Sequence, residues 1–402
     1  MSPTSKIKDK RVLYISYDGL MEPLGESQVL SYLKGLSKSY QIYLLSFEKK
    51  QDLKNLHKLK KFKSYCEQNN ILWIRLKYHF KFKIISTSYD VILGFLVSFF
   101  LIISKKIKLI HVRSTIAGLI AKCLRYFFSF NLIFDMRGFW SQEKADRSGW
   151  SRKGILFKFF NRLENNLIVV SDSVITLTKN ARDVILSENP VIPEKKFTII
   201  PTCTDLDLFK KKKIRESNEE FILGHIGSVH TAYDINPVLQ LYKGLFNKFS
   251  HIRLLVINRD SHEYLKTQIE KLDISKENIE VVRAEFLDIP NLIKKIDFGC
   301  FFANENLSIK GSMPTKLGEF LACGVPVICN PINLDVSELI QKNKVGIISD
   351  FNSSLNLEAL YAEMLQLSKS NDTRDNCRNI AESYFSIESG IEKYEKVYRA
   401  FF

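Results

Sequence analysis

The sequence predicts an α/β fold of two doubly wound domains, each a parallel sheet with helices on both faces. Three observations carry that prediction. Short apolar runs alternate with helical stretches along the whole chain, the pattern of βα units around a parallel sheet. At 402 residues the chain exceeds one ordinary core and suits two domains of roughly 150 to 200 residues. The runs also fall into two series on either side of one strongly charged stretch, KKKKIRESNEE.

The first series reads RVLYIS, QIYLLSF, ILWIRL, LIHVRS, NLIFDMR, SVITLT and FTIIPT; the second reads FILGHIGS, RLLVIN, IEVVRAE, FGCFFA, VPVICN and VGIIS. The expected organisation is a first domain over residues 1–209, a linker at 210–220, a second domain at 221–384 and a closing helix at 385–402. That helix, SIESGIEKYEKVYRAFF, carries an apolar stripe at Ile387, Ile391, Tyr394 and Val397, expected to pack back on the first domain. Two such domains would face each other across a cleft, with ligands at the carboxyl ends of strands.

The longest apolar run, VILGFLVSFFLII, has thirteen residues, where a spanning helix needs about twenty, and is expected to be a buried helix. The basic start, Lys6 to Arg11, leads into only VLYIS, which is too short for a secretory signal. Seven scattered cysteines without a CxxC fit a reducing compartment. Both readings point to the cytosol.

With 59 basic against 44 acidic residues the net charge is +15, which calls for an anionic partner. The stretch Lys49–Lys63 holds seven lysines against one acid, and KYHFKFK, SKKIK and SRKGILFKFFNR interleave basic and aromatic residues. Such stretches suit an anionic membrane surface. Nucleic acid competes for the same features but is not the expected partner, and a solvated basic face explains them equally simply.

The most informative segment is GSMPTKLGEFLACGVPVICN, Gly311–Asn330. Pro314 suits the first helical position and Gly324 the residue beyond the end. Leu317, Phe320 and Leu321 share one face, and Thr315, Lys316 and Glu319 share another that points away from the core. A helix N-terminus after a Gly-Ser turn offers amides and a positive dipole end to a phosphate. Lys316 adds a full charge, and Glu319 lies on the order of 7 Å along the axis, suited to accepting two ribose hydroxyls. A plain amphipathic surface helix with a solvated Lys and Glu is the alternative. Gly227 and Ser228 end a strand with little bulk, allowing a ligand close approach. Gly19 and Gly25 lie in a loop without GxGxxG spacing, expected to be a flexible loop at the cleft mouth.

With PTKLGEFLACGVPVI following two such halves, the chain resembles the GT-B glycosyltransferases, specifically the retaining family 4 class (EC 2.4), over nearly its whole length. VITLTKNARDVIL, KFTIIPTCTDLDLF and GSVHTAYD resemble the family's strand and turn order, and IFDMRGFWSQEKADRSGW resembles a subgroup of bacterial surface-polysaccharide assembly. The resemblance implies transfer from a nucleotide-diphosphate sugar, UDP before GDP, to a lipid-linked or glycan hydroxyl, at the inner face of the plasma membrane. It implies a donor site of Gly227, Ser228, Arg283, Ser312, Pro314, Thr315, Lys316 and Glu319, and an acceptor side with Gly19, Gly25 and Arg137. Lys316, Glu319 and Arg137 are the expected catalytic residues. No metal or cofactor is implied. Asp205 and Asp207 spell Asp-x-Asp, but their setting resembles a strand-to-linker turn in which Asp bonds local backbone.

The chain departs from the family at three points. The first carboxylate of its Glu-x7-Glu pair falls on Gly311, with Glu319 as the second; its Arg and Lys after the strand glycine are replaced by Ser228, Val229 and His230; and its acceptor-facing histidine is replaced by Arg137. An arginine stays protonated and cannot serve as a general base, but it can hold a phosphate bidentately or pair with Asp135, Glu143 or Asp146. Two other readings stand beside the transferase: a non-catalytic binding protein on the same fold, and a nucleotide-sugar epimerase, for which no acid and histidine constellation is visible.

Overall fold

Seven of the apolar runs become one parallel sheet. In the computed structural model, which describes residues 9–81, 83–212, 220–259, 261–350 and 356–402, these are β1 (Arg11–Ser16), β2 (Gln41–Glu48), β3 (Ile71–Lys77), β4 (Leu109–Arg113), β5 (Asn131–Asp135), β6 (Ser173–Thr176) and β7 (Phe197–Ile199). Their order is β3-β2-β1-β4-β5-β6-β7, every pair parallel. The order reverses between β1 and β4, which parts the loops at their carboxyl ends. Helices cover both faces, so strands such as β4 are buried along their whole length.

The second series gives β8 (Phe221–Ile226), β9 (Tyr233–Asp234), β10 (Ile252–Ile257), β11 (Ile279–Val282), β12 (Phe298–Cys300), β13 (Phe302–Ala303), β14 (Val327–Cys329) and β15 (Gly346–Ile348). Six of them form a parallel sheet, β11-β10-β8-β12-β14-β15. The single run FGCFFA is split: after Cys300 the chain leaves the sheet, and β13 pairs antiparallel with β9, Ala303 opposite Tyr233. No period-2 or apolar signal marks β9, which is two residues long.

The chain divides into two units, one reaching Pro201 and including Ile387–Phe402, the other Thr202–Ser386. Thr202–Phe209, assigned to the first domain from sequence, therefore lies with the second. Thr202 Oγ1 donates to the Met313 carbonyl at 3.0 Å, and the Thr204 amide donates to Phe385 O at 2.6 Å. Of the expected linker, residues 213–219 lie outside the described residues. Its start is no free linker, since buried Lys212 bonds Asp297 at 3.2 Å. In the first unit the closing helix Ile387–Arg399 packs on the helix Ser31–Leu36, where Gly35 leaves room for Ile391: a Cβ there would lie 2.3 Å from Ile391 Cδ1.

Two expectations about burial are overturned. The run Val91–Ile103 belongs to a helix of 23 residues, Lys83–Lys105, and much of its apolar surface faces water: Ile92, Leu96, Phe100 and Ile103 are all exposed. The thirteen-residue count missed the apolar residues before Asp90, which one buried acid separates from the run. The loop with Gly19 and Gly25 is pinned rather than open. Buried Glu48 accepts from the amides of Leu20 at 2.7 Å and Met21 at 3.2 Å, and a Cβ on Gly25 would meet Gly19 O at 2.2 Å.

Candidate functional site

The second unit gathers its polar groups where β8 ends. Gly227 follows the strand with φ +91, a conformation glycine adopts without steric cost. Its amide donates to Ile257 O at 2.9 Å, and Asn258 Nδ2 donates to its carbonyl at 2.9 Å. The His225 ring lies between the carbonyls of Cys300 and Ser228, each at 3.0 Å. Burial, with Lys316 nearby, pushes His225 down to about 3, so the imidazole is neutral and its single N–H donates to one of the two carbonyls. Ser228 Oγ accepts from Thr231 Oγ1 at 2.8 Å.

The helix Thr315–Ala322 points its first turn at this glycine. Pro314 is the N-cap, with ψ 120, rather than the first helical residue; fixed φ serves either position, and boundaries shift by a residue. Gly324, φ +71, ends the helix. The turn before it is held by its carbonyls: Asn333 Nδ2 donates to Ser312 O at 2.7 Å, and Met313 O is taken by Thr202. The leading amides of a helix have no intrahelical acceptor, so this turn can offer them to a ligand.

The expectation that Lys316 and Glu319 face water is wrong. They are 6% and 7% exposed, and every residue from Lys316 to Ala322 is buried. The purely solvated reading of this helix falls with it. Lys316 Nζ sits 3.8 Å from the Tyr233 ring centroid and 3.8 Å from where a Gly227 Cβ would lie. Among the described residues it has no hydrogen-bond partner. Burial pushes it down to about 7, Glu319 being the largest influence in the other direction. Burial likewise pushes Glu319 up to about 7, against the pull of Lys316. A buried amine without a partner is unfavourable until an anion reaches it.

Tyr233 and Asn258 are members of this cluster that sequence reasoning missed; Tyr233 reaches it only through the β9–β13 pairing. Arg283 follows β11 and is exposed. Gly311 closes a short 3-10 turn, Leu307–Gly311, and is buried. Asp205 spends its carboxylate on the amides of Asp207 at 3.0 Å and Leu208 at 3.1 Å. Among the described residues no three His, Cys, Asp or Glu side chains come together as a metal ligand set.

In the first unit the ends of β4 and β5 hold a second polar cluster. Asp135, fully buried, accepts from Tyr394 Oη at 2.8 Å and lies 3.5 Å from Arg137, 3.9 Å from Arg113 and 3.6 Å from His111. Burial opposes its ionisation, but Arg137 and His111 outweigh burial and hold it well below the usual carboxylate range. Arg137 thus pairs with Asp135, while Glu143 and Asp146 pair with Arg147 and Arg152. Asp18 also lies 3.9 Å from Arg113 Nε, so two guanidiniums stand among two carboxylates, with Arg113 Nη1 and Arg137 Nε buried and, among the described residues, without a hydrogen-bond partner. Sequence reading found Arg137 but missed Arg113, His111 and Tyr394, which lie in ordinary apolar runs.

Residues 207–384 match the family described as glycosyl transferases group 1. No curated protein matches the chain. Among solved structures, the Anabaena protein HepE in complex with UDP is 13% identical, with TM-score 0.68 over 97% of this chain and 100% of that one. Sucrose-phosphate synthase from Thermosynechococcus elongatus is 13% identical, with TM-score 0.75 over 97% of this chain and 98% of that one. WaaG, a glycosyltransferase involved in lipopolysaccharide biosynthesis, is 12% identical, with TM-score 0.65 over 97% and 99%. At these identities the likeness is one of fold, and that fold is GT-B.

Proposed function

We propose that the chain, whose residues 207–384 match the group 1 glycosyl transferases, is a glycosyltransferase whose second unit holds a nucleotide-diphosphate sugar with the diphosphate on Lys316. The observation that carries this reading is the buried Lys316 Nζ, without a hydrogen-bond partner among the described residues, beside the Gly227 turn. The diphosphate lies against the amides of Met313, Thr315 and Lys316, next to Ser312 and Pro314. Glu319 accepts the ribose hydroxyls, the Gly227–Ser228 turn admits the phosphates closely, and Arg283 stands near the base. UDP is the first choice of nucleotide and GDP the second; HepE was solved with UDP.

The transfer passes through an oxocarbenium-like state in which negative charge grows on the departing diphosphate. Lys316 and the helix amides stabilise that charge without reorganising, a contribution of about 3 kcal/mol per donor. The reading is a retaining, front-face reaction: the acceptor oxygen bonds the anomeric carbon as the bond to the diphosphate breaks, and the leaving phosphate takes the acceptor proton. It uses no metal, because the lysine and amides supply the positive charge. The acceptor is a hydroxyl of a lipid-linked or glycan molecule, assigned to the first unit. The buried guanidinium nitrogens of Arg113 and Arg137 that lack a hydrogen-bond partner among the described residues favour an acceptor that carries phosphate.

Thermal unfolding with UDP, GDP, ADP and their common sugars tests the donor site. A ligand at 100 times its Kd adds about 2.7 kcal/mol. One nucleotide class is expected to stabilise the wild type and to lose its effect in Lys316→Ala and Glu319→Ala. A folded protein that responds to none of them would remove the reading.

A further inference from the structure

The helix Lys83–Lys105 carries a surface that nothing in sugar transfer uses. Ile85, Tyr89, Ile92, Leu96, Phe100 and Ile103 are 46% to 72% exposed. At 100° per residue they fall within about 80° of arc, a stripe about 27 Å long. Phe127, itself exposed, widens it, its ring centroid 5.7 Å from those of Phe95 and Phe99. A soluble protein does not keep so continuous an apolar patch without a partner.

The helix is long and apolar enough to cross a bilayer, with an 18-residue window of Ile84–Lys105 at mean hydropathy 1.9. Its opposite face prevents that. Asp90, fully buried, accepts from Tyr17 Oη at 3.1 Å and from the His79 amide at 3.0 Å. Gly94 lies against Ile120 and Phe47, and Ser86, Ser98 and Ile102 are buried. The helix is half embedded in the first unit, so its free side can lie on a membrane but the helix cannot thread through one.

Charge selects the occupant. Lys77 and Lys81 precede the stripe with exposed Phe80, and Lys105, Lys106 and Lys108 follow it. From Lys77 to Lys108 the only acid is Asp90, which is turned inward. A second copy of the chain would set lysines against lysines in either orientation, whereas an anionic headgroup layer meets both ends favourably. By contrast, four of the seven lysines in the denser basic stretch are already paired: Lys49, Lys58, Lys61 and Lys63 with Glu22, Asp52, Glu26 and Glu67.

We propose that the exposed stripe of the helix Lys83–Lys105 inserts into the interfacial layer of an anionic lipid bilayer, with the lysines at its two ends on the headgroups. This goes beyond the donor-site reading and does not depend on it. Co-sedimentation of the full chain with vesicles of phosphatidylcholine alone, and with 30% phosphatidylglycerol, tests it. Binding is expected to the anionic vesicles, to weaken in high salt, and to fall about fivefold for each of Lys105→Gln and Lys106→Gln. The triple variant Ile92→Glu, Leu96→Glu, Phe100→Glu, checked for unchanged circular dichroism and melting, should lose binding more than tenfold. Phe100→Trp should give a blue-shifted emission on anionic vesicles. A protein that stays in the supernatant, or binds neutral and anionic vesicles equally, overturns the proposal. So does a dimer in solution that the triple variant dissociates. Nucleotide-induced stabilisation of the same variant separates failure of this surface from failure of the donor site.

Discussion

The helix Thr315–Ala322 buries a lysine and a glutamate, while the helix Lys83–Lys105 leaves seven large apolar side chains in water. Each inverts what its residue types prefer. An unpaired buried amine and an exposed apolar stripe are both unfavourable in the isolated chain. Each becomes favourable with one kind of partner, a diphosphate in the first case and a lipid surface in the second. Where residue preference and burial disagree in a well-packed fold, the disagreement points to a ligand.

The contrast is broken most severely at Lys316. Lys316→Met should lower kcat/KM by about 10²- to 10³-fold without destabilising the unliganded protein at pH 7, because an apolar side chain of similar length suits the buried position. Steady-state kinetics and denaturant unfolding check the two halves. A Lys316→Met protein of normal activity would leave the buried lysine without a function. Glu319→Gln keeps shape but weakens acceptance of the ribose hydroxyls, and should reduce nucleotide affinity about tenfold or more, read by calorimetric titration.

Gly227→Ala sharpens the account of the turn. Its Cβ would have Lys316 Nζ at 3.8 Å, an ordinary contact. The expected loss of about 1 to 2 kcal/mol therefore comes from φ +91, and urea unfolding would show it. The smallest effect belongs to the other helix: Ile92→Ser should change stability by no more than about 0.5 kcal/mol. A large loss there would mean the stripe is structural.

Acidity gives a further way to test the buried pair. Between the ordinary pKa of Glu319, 4.5, and about 7, the folded chain holds a proton that the unfolded chain has released, so stability falls as pH rises. From about 7 to the ordinary value of Lys316, 10.5, the unfolded chain holds a proton that the folded one lacks, so stability rises again. The unliganded wild type should be least stable near pH 7, and the double variant Lys316→Met, Glu319→Gln should lose that dip. Unfolding midpoints across pH decide it.

Much of this was legible from residues. The strands of both parallel sheets match the apolar runs read from sequence to within a residue at the ends where they exceed them, because strands covered on both faces must be apolar along their length. Gly227, Lys316 and Glu319 could be assembled because a strand end, a glycine and a helix start are local signals. Tyr233 was not legible: it reaches Lys316 through a two-residue pairing without period. The Asp135 cluster was half legible, since Arg113 and Tyr394 meet Asp135 only through the parallel register of β4 and β5 and the return of the last helix. Burial failed at both helices for one reason. Periodicity shows which residues share a face, but only the packed neighbours decide whether that face meets protein, water or something else.

The most direct measurement is proton uptake on nucleotide binding, by titration calorimetry of UDP at pH 8 in two buffers of different ionisation enthalpy. With Lys316 near 7 in the free protein, a diphosphate beside it must draw the amine back to its charged form. Uptake of about one proton is expected for the wild type and none for Lys316→Met. Tight binding of UDP without uptake, or equal affinity in Lys316→Met, would contradict it.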